Sequence, residues 1–333
     1  MRGFWHSVSL VVLISACQSA EPPKSNTIQE EAFESQTVSE FWQPADVFAI
    51  SDSKKSAEVL YGRDLIIHTA YYLGPRGRIA QQTNGLNCQN CHLNAGTKPF
   101  GNNYGSVAST YPKVRARSGK MESIEKRIND CFERSLNGKP LKENSKEMRA
   151  MVAYMKFLGE NVKKGEKAAG SGLKDLPFIS RAADPKKGKV VYELRCASCH
   201  QVNGQGMIDG IGQSYIYPPL WGPHSFNDAA GLSRISNMAK YVKYNMPLGV
   251  SHDSPELSDE DAWDVAAYIE SKPRPHKAVP QDWPDISKKP IDHPFGPYAD
   301  KFSETQHKFG PFKPIQEERK KAEAAGKNKG KTS

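Results

Sequence analysis

The alternation of apolar and polar positions marks three helices. Over 54–73, Val59, Leu60, Ile66, Ile67 and Tyr71 can share one face, and Gly74-Pro75 ends the run. Lys146–Leu158 carries Met148, Met151, Val152 and Met155 at helical spacing, and Glu260–Ser271 carries Trp263, Ala266, Ala267 and Ile269. Between these lie stretches without a period. Residues 18–45, rich in Glu, Ser, Gln and Pro, read as a tether with little structure of its own. A Gly- and Lys-rich segment near 159–184 divides the chain. Past Pro273 proline becomes frequent, and past Lys313 the sequence becomes a low-complexity charged tail.

The apolar run from Val8 to Ile14 follows Arg2 and is too short to span a bilayer, so residues 1–16 read as an export signal. Ile14-Ser15-Ala16-Cys17 resembles a bacterial lipobox, which makes Cys17 a lipid-attachment residue and 17–45 a lipid-anchored linker. An ordinary cleaved signal with an incidental cysteine is the alternative. Gln18 rather than Asp at the next position suits outer-membrane sorting in the periplasm, with the lipid as the only membrane contact. The 333 residues are enough for about two domains. Their net charge of +9 is uneven, because residues 313–333 alone hold +4. A basic tail does not make a nucleic-acid groove, and no nucleic-acid partner is expected.

Six cysteines are too few for a disulfide scaffold of this length. Four fall into two copies of one motif, Cys88-Gln-Asn-Cys91-His92 and Cys196-Ala-Ser-Cys199-His200, 108 residues apart. In C-x-x-C-H the two thiols add across the vinyl groups of haem while the adjacent His binds iron. A lone C-x-x-C could be a redox dithiol or half a zinc site; two copies with His in an exported chain point to two covalent haems c. The fold expected is all-α, two cytochrome c-like domains at 46–159 and 185–275, joined by a linker at 160–184 with the haems facing each other near the interface. Residues 276–333 form a proline-rich extension and basic tail: 276–312, with Trp283 and several prolines, strap across the domains, and the tail docks an acidic partner or, as the safer expectation, stays solvated.

Each haem needs a second axial ligand from the loop before the last helix. Met246, in Asn245-Met246-Pro247, lies 46 residues after His200 and 22 before Tyr268, a pattern that looks like class I cytochromes c. Met207 and Met238 are rivals of poorer spacing, and Lys243 a minor one. In the first unit Cys131 lies 39 residues after His92 and 23 before Tyr154, where Met246 lies in the second. A cysteine filling a core is the ordinary alternative; the repeat favours ligation. A thiolate stabilises ferric iron, so this haem should have the lower potential. His68, within Leu65-Ile66-Ile67-His68, reads as a hydrogen-bonded core residue rather than a ligand, and His224, His252 and His276 as surface residues.

If the stretch around Cys131 is helical, Arg127, Cys131 and Ser135 share a face. A basic, hydroxyl-lined pocket beside a nucleophilic sulfur suits a small doubly charged oxyanion, although arginines there could equally pair with haem propionates. The run Asn84-Gly85-Leu86-Asn87-Cys88-Gln89-Asn90-Cys91-His92-Leu93, with Ala95-Gly96-Thr97, Tyr111-Pro112, Arg127-Ile128-Asn129 and Arg134-Ser135-Leu136-Asn137-Gly138-Lys139, resembles the dihaem thiosulfate dehydrogenase family from about residue 55 to 275. That resemblance implies Cys131 as ligand and catalytic sulfur, with Arg117, Arg127 and Ser135 as substrate contacts. It also implies that two thiosulfates join to tetrathionate, Cys131 carrying the sulfane sulfur in passing. Electrons would leave through the second haem to a periplasmic acceptor such as a small cytochrome c. The reverse reaction, tetrathionate reduction, would use the same site. Some relatives place Lys beside the second-haem Met; Asn245 stands there, so constant His/Met ligation is expected. The competing readings are a dihaem electron carrier without a substrate site, a dihaem peroxidase, and a subunit that loads thiosulfate onto a carrier protein.

Overall fold

The computed structural model describes residues 40–210 and 214–329, and side chains as far as 324. The export signal, Cys17 and most of the tether lie outside the described residues. In the first half, α1 (Ser53–Ile67) and α2 (Thr69–Leu73) precede the first C-x-x-C-H motif, and the short helices α3 (Leu93–Gly96) and α4 (Val107–Thr110) follow it. A hairpin of β1 (Lys113–Arg115) and β2 (Lys120–Glu122) leads into α5 (Ile124–Glu133) and α6 (Lys146–Leu158). The second half repeats the plan with α7 (Pro185–Arg195), α8 (Ala197–His200), a hairpin of β3 (Met207–Ile208) and β4 (Tyr215–Tyr217), α9 (Ile235–Asn245) and α10 (Asp259–Glu270). Helices α11 (Glu304–Phe309) and α12 (Lys313–Lys329) complete it. The fold is all-α in its architecture, the two hairpins being the strands among the described residues.

Local chemistry sets the helix starts. Asp52, Ser123, Ser145, Asp184 and Ser258 each accept a backbone N–H in the first turn of α1, α5, α6, α7 and α10. Each such cap stabilises its helix by about 1 kcal/mol. In each half the first and last long helices cross closely. A Cβ on Gly62 would lie 2.0 Å from the Ala150 carbonyl oxygen, and one on Gly188 would lie 1.8 Å from that of Asp264. Only glycine permits this backbone approach.

Two cores result. One gathers Val59, Leu65, Ile66, Phe132, Met148, Met151 and Tyr154; the other gathers Tyr192, Trp221, Ile235, Met238, Trp263 and Ile269. The connector 160–184 is packed along both: Ala168 belongs to the first core, Leu176 and Ala183 to the second. Its Gly170 and Gly172 carbonyls accept from Phe100 and Asn102, and Pro177 accepts from the Trp263 indole at 2.9 Å.

Three expectations from polarity fail at the edges. The tether is ordered by its end: Trp42 is buried, and its indole donates to Asn161 at 2.9 Å. The charged tail is not a featureless solvated segment, since α12 begins with Ile315 sealed into the second core beside Phe312. His252 is buried between Phe41 and Phe100 rather than on the surface. In the first two cases burying one large apolar group outweighs the polar composition around it; in the third two phenylalanine rings enclose the imidazole. His68 is displaced the other way. It sits exposed at the break between α1 and α2, 3.7 Å from Asp64, because Thr69 takes the inward place and bonds the Leu65 carbonyl and Cys88. No helix among the described residues is long and apolar enough to cross a membrane.

Candidate active site and haem crevices

Each C-x-x-C-H motif lies on the wall of a cavity, of about 300 Å³ in the first half and 320 Å³ in the second. The first is lined by Cys88, Cys91 and His92 with Ile66, Leu86, Tyr104, Ile128, Phe132 and Met155. The second is lined by Cys196, Cys199 and His200 with Leu220, Phe226, Leu232, Met238 and Val242. In both, a backbone carbonyl fixes the histidine. His92 Nδ1 donates to Asn102 O at 2.6 Å and His200 Nδ1 to Pro218 O at 2.8 Å. A carbonyl can only accept, so each ring presents an unprotonated Nε2, the form that binds iron. Tyr104 stacks on the His92 ring at 4.6 Å. Two thiols, an oriented imidazole and an apolar crevice fit a covalent haem c in each half.

The sulfur-bearing residues on the two cavity walls differ. Met246 reaches the second cavity from the end of α9, among apolar neighbours that include Leu248 and Pro247. Lys243 does not line this cavity; its ammonium donates to the Leu257 carbonyl at 2.5 Å and pairs with Asp259 at 2.9 Å. Asn245 is buried and donates to Phe100 O at 3.1 Å, in the other half.

In the first cavity, Cys131 lies within hydrogen-bonding reach of His92, and Arg127, one turn earlier on α5, donates to its Sγ at 3.0 Å. Burial pushes the Cys131 thiol up; the Arg127 cation beside it is the largest influence the other way, and the thiol comes down to about 7. The attachment cysteines go the other way, burial pushing Cys88 and Cys91 up to about 12. The thiolate in turn raises Arg127 above its ordinary value despite burial.

Ser135 also lines this cavity, as do Lys113, Arg115 and Tyr111. Arg117 does not: β1 ends at Arg115, and Arg117 lies in the turn that follows, largely buried and 3.9 Å from Asp282. Burial, then Arg134 and Arg127, bring Arg117 down to about 10, so it belongs to the same cationic cluster. Arg115 was the residue that spacing alone did not single out; it bonds the Tyr111 hydroxyl at 3.1 Å and lies 3.9 Å from buried Glu122. Residues two apart share a strand face, so only the end of β1 at Arg115 and the turn that follows separate the two, and nothing in the local sequence marks that end.

The cavities adjoin. Leu86, Asn87 and Cys91 line both, and Gln89, Asn90, Leu93 and Asn94 from the first half also wall the second. Tyr241 OH donates to Asn90 O at 2.8 Å and Asn87 Nδ2 to Ser214 Oγ at 2.7 Å across the join.

This is the arrangement of a two-domain c-type cytochrome. The SoxA/TsdA cytochrome c domain matches residues 78–163, and the cytochrome c domain matches residues 185–273. The thiosulfate dehydrogenase of Allochromatium vinosum is 42% identical over 196 residues, 58% of this chain and 71% of that protein. That of Psychrobacter arcticus is 37% identical over 243 residues, 72% of this chain and 71% of that protein. The structure of thiosulfate dehydrogenase (TsdBA) from Marichromatium purpuratum superposes with a TM-score of 0.65 at 29% identity. It covers 71% of this chain, and this chain spans half the length of that one. The chain belongs to the dihaem thiosulfate dehydrogenase family, and it carries two covalently attached haems c.

Proposed function

We propose that this oxidoreductase joins two thiosulfates through their sulfane sulfurs to give tetrathionate, releasing two electrons. The observation that carries the proposal is the Arg127–Cys131 contact at 3.0 Å inside a cavity lined by His92, Arg115 and Ser135. When bound, the two haems would supply one-electron redox chemistry with capacity for both electrons. His92 with Cys131, and His200 with Met246, would hold the two haem irons.

The obstacle is electrostatic, because two dianions must meet. Lys113, Arg115 and Arg127 put cations around the Cys131 sulfur, where low dielectric strengthens their pull. Cys131 Sγ, held as thiolate by Arg127, bonds to the sulfane sulfur of the first thiosulfate as two electrons leave. The second thiosulfate attacks that sulfur, the Cys131 S–S bond breaks, and thiolate and tetrathionate are released. Ser135 donates a hydrogen bond to a sulfonate oxygen. Run backwards with supplied electrons, the same steps reduce tetrathionate.

Electrons cross the shared wall of Leu86, Asn87 and Cys91 and leave from the second half. Ile216 and Leu248, which line the second cavity, are 55% and 71% exposed, and Val202, Met207 and Ile208 are exposed on the neighbouring segments. An apolar patch at a redox centre suits brief docking of a small periplasmic cytochrome. Cys17 is assigned as lipidated, tethering the protein to the outer membrane from the periplasmic side. Labelling with a fatty acid tests this: loss of label in Cys17→Ser is expected, and label that persists refutes it.

Purified protein given thiosulfate and ferricyanide should form one tetrathionate per two electrons. Absence of tetrathionate, together with absence of the reverse activity, would leave an electron carrier without its own substrate.

A further inference from the structure

Residues beyond 273, where the cytochrome c match ends, return to the first half and touch the elements that hold Cys131. Asp282 accepts two hydrogen bonds from Arg134, at 2.8 and 2.9 Å, and lies 3.9 Å from Arg117 Nε. The Trp283 backbone N–H donates to the Arg117 carbonyl at 2.6 Å, and its ring lies 5.8 Å from the Arg117 guanidinium. Pro284 packs on Gly119 so closely that a Cβ there would be 2.8 Å from its Cγ. Three consecutive residues thus clamp the β1–β2 hairpin and the end of α5. The hairpin supplies Lys113 and Arg115 to the cavity; α5 supplies Arg127 and Cys131, and Ser135 follows it.

The clamp meets a crowd of like charge. Arg127 and Arg134 both repel Arg117, and the acids against the cluster are Asp130, 3.9 Å from Arg134, and Asp282. The Asp282 side chain is only 13% exposed, so water screens its ion pairs little. We infer that Asp282 is a positioning residue for the Cys131 site, holding Arg117 and Arg134 so that the hairpin and α5 keep a fixed spacing across the anion cavity. This rests on the proposed thiosulfate reading. It gives the extension, which lies outside both matched domains, a part in substrate binding.

The test uses haem-loaded protein carrying Asp282→Asn or Asp282→Glu. In Asp282→Asn, KM for thiosulfate should rise about tenfold with kcat within about twofold, the pattern of lost binding alignment. Amide exchange over residues 113–122 should quicken, the haem content and the Met-ligated spectrum should stay as in the parent, and Asp282→Glu should recover most of the KM. A KM that falls would show Asp282 to be merely a repulsive charge, and unchanged KM and exchange would also overturn the inference. Arg127→Gln separates the two readings: activity retained there sinks the substrate assignment itself. If Asp282→Asn does not load haem, Trp283→Leu removes the ring over Arg117 and should give the same exchange change with about a threefold rise in KM; parental values would refute the clamp.

Discussion

The two haem crevices share a frame and differ in the sulfur-bearing residue on their walls and its surroundings. Both have a histidine tied by Nδ1 to a backbone carbonyl, a glycine-mediated helix crossing and an apolar lining. Across from His92, however, stands a sulfur inside a helix with a guanidinium 3.0 Å away; on the wall of the His200 crevice is a thioether at a helix end among apolar side chains. The frame is what holding haem requires. The contents separate chemistry from relay: a charged, hydroxyl-bearing cavity can bind and activate an anion, while an apolar one favours reduced iron and lets electrons pass.

The sharpest way to break this contrast is Cys131→Gly, which should lower thiosulfate-dependent ferricyanide reduction by about a thousandfold or more. Haem content and the optical signature of the second centre should be retained; a spectrum altered at both centres would contradict separate roles. Arg127→Gln should cost about a hundredfold in kcat/KM, as for loss of one buried group that stabilises charge. It also carries a pH signature. With the Cys131 thiol at about 7, kcat/KM should fall about tenfold per unit below that pH as thiolate is protonated. Removing the cation raises the thiol, so the falling limb in Arg127→Gln should move to higher pH. The shared frame is probed by Gly62→Ala and Gly188→Ala, each expected to destabilise by about 1–3 kcal/mol in thermal unfolding, with similar costs in both halves. The smallest effect is expected from Leu248→Glu, a loss of about threefold to tenfold in electron delivery to a small cytochrome with ferricyanide reduction unchanged.

Much of this was legible before folding. The C-x-x-C-H repeats located both crevices, and the ruler from His92 to Tyr154 against His200 to Tyr268 pointed to Cys131 and Met246, which the structure places on cavity walls. Lys146–Leu158 is the helix that its pattern of methionines predicts. The spacing of Arg127 and Cys131 is local, so one helical turn sufficed to pair them. Arg117 and Arg115 could not be told apart, because residues two apart share a strand face and nothing local marks Arg115 as the last residue of β1.

What the sequence determined by itself is whatever depends on neighbours within a few turns: covalent haem attachment, helix faces, caps and the adjacency of Arg127 to the thiol. Tertiary structure alone decided that Leu86, Asn87 and Cys91 wall both crevices, that Arg115 rather than Arg117 faces the cavity, and that Asp282 answers Arg134 across 148 residues. Such contacts join segments whose separation leaves no periodic trace, and burial and charge pairing select them only when the whole chain closes.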